Sequence, residues 1–316
     1  MKITLISFDN WGFNKHIAEV LENKGHIVNH IDFHSFKYKY PNFWLKIYNL
    51  FLKTFLGKNV KNIYYGKEIV KHLQQIGVKQ DVILTIKGDF IDTDYLKEFK
   101  KYTKKSIAYF NDNTIRCPKI VKAIPCFDEV FSFEKEDCKK YNLKFITNWI
   151  YTENKFETTT NFKYEIFNIS SKDKRLPILL KIANNLIDNN ISYKFLILDK
   201  NNPSKDGEIE FIANKIPLDE VSALISQSRT LLDTNRNGQS GLTFRVLESL
   251  GFNKKLITTN SDIINYDFYK PSNILVIDEK KPVIPISFFE TNYEEIPNEI
   301  FEKYTLGGWV EKILNI

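Results

Sequence analysis

Arg245 and Glu248 follow a run of small polar residues in Asn235-Arg-Asn-Gly-Gln-Ser-Gly-Leu-Thr-Phe-Arg-Val-Leu-Glu-Ser-Leu-Gly251. A guanidinium is a fork of donors that fits a phosphate, and a carboxylate accepts from the two hydroxyls of a ribose. Residues three apart share one face of a helix. The loop Asn235–Gly241 opens that helix, and the N–H groups and dipole of a helix start attract a phosphate or diphosphate. The plain alternative is a surface Arg/Glu pair on a helix that begins Gln-Ser-Gly by chance. A second set is Asp9, Asp89 and Asp112, each just past an apolar run that reads as a parallel strand. Carboxylates at such ends can serve as general bases, or simply form turns.

The elements that position these groups follow from periodicity. Around the first set, Thr230–Asp233 is a short apolar strand and Leu242–Leu250 a helix, with Gly251 as a left-handed cap and Leu256–Thr259 as the next strand. Lys2–Phe8, a helix over Lys15–Asn23 and a strand over His26–Ile31 make an opening βαβ unit. It lacks G-x-G-x-x-G, which counts against a dinucleotide-dependent dehydrogenase. Further strands are expected at Asp81–Ile86, Ser106–Phe110, Glu129–Phe133 and Lys144–Thr147, with helices over Lys67–Ile76 and Asp92–Tyr102. A polar, threonine-rich linker, Tyr151–Asn161, precedes a second series: strand Tyr164–Ile169, the basic loop Ser170–Arg175, helix Leu176–Asn189, and strands Tyr193–Leu198, Glu210–Ile212 and Ile274–Ile277. A helix over Tyr304–Leu314 closes the chain. Alternating strands and helices predict an α/β fold of two Rossmann-like domains, residues 1–155 and 156–316.

Gln239-Ser-Gly-Leu-Thr-Phe-Arg-Val-Leu-Glu248 with Lys254-Lys-Leu-Ile-Thr-Thr-Asn260 resembles the donor-site signature of GT-B glycosyltransferases. It is most similar to CgeB-like bacterial enzymes that build capsule, exopolysaccharide and lipopolysaccharide core. The resemblance implies two domains facing across a cleft, with a nucleotide sugar bound by the second and a glycan or lipid-linked acceptor by the first. It implies Glu248 as the ribose ligand, with Asn235, Gln239, Ser240, Gly241, Leu242, Thr243 and Arg245 around the diphosphate. Arg175, chosen over Lys172 and Lys174, would neutralise the leaving phosphate, and Ala213–Pro217 would hold the base. The last helix would cross back to the first domain. Many retaining members carry a glutamate where this chain has Ser240, so the stereochemistry stays open. No metal or other cofactor is implied, and Asp92-Thr-Asp94 sits where helix capping explains it. The base would be Asp112, Asp9 or Asp89, in that order; His16, at a helix start, is a lesser candidate. The alternatives are a binding module that kept the fold and lost turnover, or a nucleotide-dependent epimerase.

Composition sets bounds. The 316 residues, 43% hydrophobic and 27% charged, suit two globular domains. Residues 1–150 hold 25 Lys+Arg against 16 Asp+Glu, net +9, and the rest hold 20 against 23, net −3. A basic first half suits an anionic surface. Phe36–Leu56 interleaves Lys37, Lys39, Lys46 and Lys53 with aromatics, and as a helix from about Asn42 it puts Trp44, Ile47, Tyr48, Phe51 and Phe55 on one side. Such a stripe is most often core-facing; the other reading is contact with an anionic membrane or a lipid-linked acceptor. No recognised motif supports nucleic-acid binding. No signal peptide or spanning segment is evident, and Cys117, Cys126 and Cys138 read as thiols in a reducing compartment. The expectation is a cytoplasmic protein, at the inner face of the plasma membrane if the aromatic-lysine stretch docks there. His30 and His34 have metal-ligand spacing only if helical, and they fall on a strand and a loop.

Overall fold

The computed structural model describes residues 1–151, 161–204 and 207–315. Two compact units divide the chain, one of Met1–Thr147 with Val310–Ile316, the other of Asn148–Trp309. The boundary expected between residues 155 and 156, most of the threonine-rich linker, and two residues of the Asn201–Gly207 loop lie outside the described residues.

The first unit runs β1 (Lys2–Ser7), α1 (Lys15–Asn23), β2 (Ile27–Asp32), α2 (Phe43–Phe51), α3 (Val60–Ile76), β3 (Gln80–Ile86), α4 (Thr93–Glu98), β4 (Thr103–Phe110), α5 (Lys119–Ala123), β5 (Glu129–Ser132), α6 (Lys135–Tyr141) and β6 (Lys144–Phe145). Its strands form one parallel sheet in the order β2-β1-β3-β4-β5-β6. The inner strands are near-continuous apolar runs because helices cover both faces of a parallel sheet; Ile83, Leu84, Ile107 and Ala108 are fully or almost fully buried. Helix α1 buries Ile17, Ala18 and Leu21 and stops before Gly25, whose φ is +81°. Helix α3 starts seven residues earlier than periodicity suggests, at Val60, with the Asn59 side chain accepting from Lys61 N. Gly66 hides this turn of helix from a sequence reading, yet it is required there: a Cβ would stand 2.6 Å from the Tyr95 ring. At the Asp92-Thr-Asp94 stretch, the Asp92 carboxylate caps α4 by accepting from Asp94 N at 3.1 Å.

The second unit runs β7 (Tyr164–Ser171), α7 (Leu176–Asp188), β8 (Tyr193–Leu198), β9 (Glu210–Ile212), α8 (Leu218–Ser226), β10 (Ser228–Asp233), α9 (Phe244–Gly251), β11 (Lys255–Thr258), β12 (Ile274–Val276), α10 (Ser287–Glu290), α11 (Asn298–Phe301) and the start of α12 (Leu306–Leu314), whose residues from Val310 on belong to the first unit. The parallel order is β12-β11-β10-β7-β8-β9, so the chain starts centrally, winds outward to β9 and crosses back to β10 beside β7. That reversal opens a crevice at the carboxyl ends of β7 and β10, the position where open α/β sheets bind ligands.

Two expectations are corrected. Helix α9 ends at Gly251 itself, and the left-handed residue is Asn253, with φ 50°. Lys254 N bonds Ser249 O at 2.8 Å and Asn253 N bonds Leu250 O at 3.1 Å, the paired bonds of a Schellman turn, in which asparagine can replace glycine. The second correction concerns α2. Its stripe of Trp44, Ile47, Tyr48, Phe51 and Phe55 is exposed, and the helix meets the unit through Leu45, Asn49 and Leu52 instead. The three cysteines are free, Cys126 and Cys138 buried and Cys117 half-buried. Among the described residues no helix is long and apolar enough to cross a membrane.

Candidate functional site

At the crevice of the second unit, β10 ends in Asp233, a buried carboxylate that accepts from Thr243 Oγ1 at 2.9 Å and Thr258 Oγ1 at 3.0 Å. Burial pushes its pKa up, against those bonds and the nearby Arg175 and Arg245. Because Thr243 turns its hydroxyl to Asp233, the start of α9 has no side-chain cap. The first N–H groups of a helix need acceptors from outside it.

The loop between them is held at its carbonyls. Arg175 Nη1 donates to Thr234 O at 2.7 Å, Asn235 Nδ2 to Gln239 O at 2.7 Å, and Gln239 Nε2 to Gly241 O at 3.1 Å. Asn260 Nδ2 donates to Ser240 O at 3.0 Å, and Asn148 Nδ2 to Leu242 O at 2.9 Å. With its acceptors occupied in this way, the loop is held in one shape by side chains from both of its flanks.

Arg175 is anchored by Asp173, which accepts from Nε at 2.9 Å and Nη2 at 2.7 Å, while Arg236 lies 3.6 Å from the same carboxylate. A guanidinium has five N–H donors, so the clamp leaves Arg175 further donors at the loop. Lys172 pairs instead with Asp199 at 2.7 Å, and Lys174 is exposed.

Arg245 and Glu248 do share a face, Arg245 half-buried and Glu248 buried. The Arg245 side chain covers the Phe167 ring at 5.5 Å, and its Nη2 is 3.4 Å from Ile169 O. Arg245 Nη1 lies against Glu248 Oε2 as an ion pair, and neither atom has a hydrogen-bond partner. The Tyr151 hydroxyl donates to Glu248 Oε1. Burial raises the Glu248 pKa, opposed by the Arg245 charge and the Tyr151 bond; the Tyr151 phenol is raised by burial and then by Glu248. Two orphan atoms lie here: Thr234 Oγ1 and Asn235 Oδ1 are buried without hydrogen-bond partners. Buried polar atoms are nearly always satisfied, so two orphans beside an ion pair at one strand end are unusual. Arg175, Asn235, Gln239–Thr243, Arg245 and Glu248 are thus gathered at one place.

Tyr151 and Asp173 escaped the sequence reading. Tyr151 lies in a stretch with linker composition, and Asp173 is flanked by three cations that draw the attention. Asp233 carried a signal, an acid terminating an apolar strand. At the sheet edge, the loop after β9 borders a depression of about 500 Å³ lined by Phe211, Ile212, Ala213, Asn214, Lys215 and Pro217.

In the first unit, β3 is followed by Lys87, which has left-handed backbone angles (φ 62°, ψ 48°) costly for a side chain with a Cβ. The turn brings Lys87 Nζ to 3.5 Å from Asp112 Oδ2, while Arg116 Nη1 donates to Asp112 Oδ1. Asp89 is buried, and burial pushes its pKa up to about 6, with Lys87 opposing and Asp112 adding to the rise. Asp89 and Asp112 are therefore brought together. Asp9 has a different job: its carboxylate accepts from Gly12 N at 2.8 Å, Asn14 N at 3.0 Å and Lys15 N at 3.1 Å, organising the entry to α1. His16 pairs with Glu19 at 3.0 Å on exposed helix surface. His30 meets Ser7 Oγ at 2.8 Å and His34 packs on Phe8, so the two histidines are separately employed. Among the described residues no group of three or more His, Cys, Asp and Glu is placed to hold a metal ion.

Solved structures share the architecture of these two units. UDP-forming α,α-trehalose-phosphate synthase from Burkholderia xenovorans is 11% identical, with TM-score 0.59 over 99% of this chain and 98% of that one. UDP-GlcNAc 2-epimerase from Methanocaldococcus jannaschii is 11% identical, with TM-score 0.52 over 100% and 99%. The Neisseria meningitidis UDP-GlcNAc 2-epimerase, solved with UDP-GlcNAc bound, gives the same three values of 11%, 0.52 and 100% of this chain. The fold is GT-B. At such identities the likeness is one of fold, and it assigns no substrate or residue. No protein-family model matches the sequence, and no curated protein does.

Proposed function

We propose that this chain is a glycosyltransferase that moves a sugar from a nucleoside-diphosphate sugar to a hydroxyl of a glycan or lipid-linked glycan, in surface polysaccharide or lipopolysaccharide synthesis. The observation that carries the reading is the pair of buried orphan atoms Thr234 Oγ1 and Asn235 Oδ1 beside the Arg245–Glu248 ion pair, at a helix start without a side-chain cap. Ribose hydroxyls would donate to Glu248 Oε2. The diphosphate would take the N–H groups at the head of α9 and the remaining donors of Arg175 and Arg245, and the base would enter the depression after β9. The GT-B fold, and UDP-GlcNAc bound in one structure of that fold, support a nucleotide sugar as ligand. No metal or other cofactor enters this mechanism, because fixed N–H dipoles and two arginines offset the charge that develops on the leaving diphosphate.

On this reading the acceptor hydroxyl loses its proton to a carboxylate as it attacks the anomeric carbon, and the bond from that carbon to the diphosphate oxygen breaks. Asp89 becomes the best of the three candidates. A base works best when its pKa lies near the working pH, and burial raises the Asp89 carboxyl to about 6. Asp112 faces two cations and Asp9 is held by three amides. An epimerase is the second reading, favoured by the UDP-GlcNAc 2-epimerases of the same fold; a module without turnover is the third.

Calorimetry with nucleoside diphosphates, followed by NMR of the nucleotide sugar that binds, separates them. Transfer or slow hydrolysis releasing nucleoside diphosphate supports the proposal, and the anomeric configuration of the product gives inversion or retention. A sugar epimerised while still attached to its nucleotide refutes it in favour of an epimerase. Binding without any turnover leaves the module, and no binding refutes the donor site.

A further inference from the structure

The best apolar surface of the first unit lies outside its core. Helix α2 and the turn that extends it, Leu52–Leu56, are fastened on one side by a buried asparagine: Asn49 Oδ1 accepts from Val60 N at 2.9 Å, and Nδ2 donates to Tyr40 OH at 2.6 Å. Leu45 and Leu52 flank it. On the other side Phe43, Trp44 and Phe55 are 68%, 75% and 70% exposed, and Ile47, Phe51 and Leu56 lie bare beside them. Single exposed apolar residues are ordinary, but a contiguous helical face of them marks an interaction site.

The charge around the face selects the partner. From Phe33 to Lys67 the chain has seven lysines and no Asp or Glu. Lys58 is held by Asp94 at 2.6 Å and Lys61 lies over Tyr65, whereas Lys37, Lys39, Lys46, Lys53 and Lys67 are exposed. A second copy meeting this face would set lysines against lysines with no carboxylate between them, so self-association is disfavoured. Trp, Phe and Leu on one side with lysine at the margins is the composition of a helix lying in a membrane interface. Trp and Tyr suit that depth because their rings are apolar and their N–H and O–H groups find water or phosphate.

We propose that α2 with Leu52–Leu56 docks flat on an anionic lipid bilayer, the aromatic face entering the boundary between headgroups and acyl chains and the lysines resting on lipid phosphates. The inference does not rest on glycosyl transfer.

The full chain is mixed with phosphatidylcholine vesicles, with or without phosphatidylglycerol, at low and high salt, and bound protein is measured by sedimentation. Binding to phosphatidylglycerol vesicles is expected to exceed binding to phosphatidylcholine by about tenfold or more and to fall in high salt, as the lysine contribution requires. Trp44→Ser with Phe55→Ser should abolish it, and Lys46→Glu with Lys53→Glu should reduce it about tenfold. Both pairs are exposed, so unchanged melting curves verify the fold. No binding by wild-type protein, equal binding to both vesicle types, or indifference to both variant pairs overturns the proposal. So does a dimer, seen by analytical ultracentrifugation without lipid, that Trp44→Ser dissolves. Nucleoside-diphosphate affinity, measured alongside, reports on the donor site separately.

Discussion

Asp89→Asn tests stability and catalysis in one variant. Asparagine keeps the shape of the side chain and cannot ionise. In the wild type, burial raises the Asp89 pKa from the ordinary 3.8 to about 6. A raised acid pKa means the folded protein holds its proton where the unfolded chain has lost it. The associated stability is complete below the unfolded pKa and is lost as pH climbs through the folded one. From 3.8 to about 6, at about 1.4 kcal/mol per pH unit, the ionised carboxylate costs the first unit ~3 kcal/mol above pH 6. Asp89→Asn should therefore match wild type in chemical denaturation near pH 4 and exceed it near pH 7.5, by up to ~3 kcal/mol. As general base, the same residue should put an acidic limb near pH 6 in the rate profile, and its loss should cut kcat by about 10²–10⁴ with nucleotide affinity unchanged. A variant more stable at neutral pH and nearly inactive is the expected outcome. Equal stability differences at both pH values would refute the buried-carboxylate account. Undiminished turnover would remove Asp89 as base, and if Asp112→Asn and Asp9→Asn also turned over normally, a retaining mechanism would be favoured.

Glu248→Gln should weaken nucleoside-diphosphate binding by roughly 1.5–3 kcal/mol, the scale of hydrogen bonds to a charged group; unchanged calorimetric affinity would end the ribose assignment. Arg175→Ala should weaken a nucleoside diphosphate about tenfold and leave the bare nucleoside unaffected, since a guanidinium recognises phosphate; equal losses for both would show a structural effect on the loop. Lys254 Nζ is buried over Phe162 and bonded to Ser226 O, and burial lowers its pKa to about 8. The unfolded chain binds more protons between pH 8 and 10.5, so stability should rise with pH through that window. Lys254→Met should flatten this rise and melt higher than wild type near pH 7; a lower melting temperature there would contradict the burial argument.

Where one physical rule dominates, the sequence was a reliable guide. Apolar runs had to become strands of a parallel sheet, and a polar loop before a short helix had to lie at the carboxyl end of its strand. Arg245 and Glu248 fell together because helical spacing is local. Direction relative to the core was not local: α2 has a regular apolar stripe, yet a single asparagine with two good backbone and side-chain partners decides which side faces in. The Glu248 partner Tyr151 was invisible because it reaches across 97 residues from a segment with no pattern. The ordering of Asp9, Asp89 and Asp112 rested on loop composition, whereas burial and neighbouring amides, both tertiary, separate them.

Helix α12 starts among residues of the second unit, but Val310–Ile316 belong to the first. Val310 and Ile313 are buried, and Glu311 pairs with Lys24 at 2.6 Å. On the ribosome, then, the part made earliest waits for a segment synthesised only after the whole of the other. Until α12 emerges, the first unit is missing a patch of its interior, and its apolar lining stays open to chaperones and to neighbouring nascent chains. Cutting the chain just before Val310 would take from the older unit a part of its interior that the younger one cannot replace.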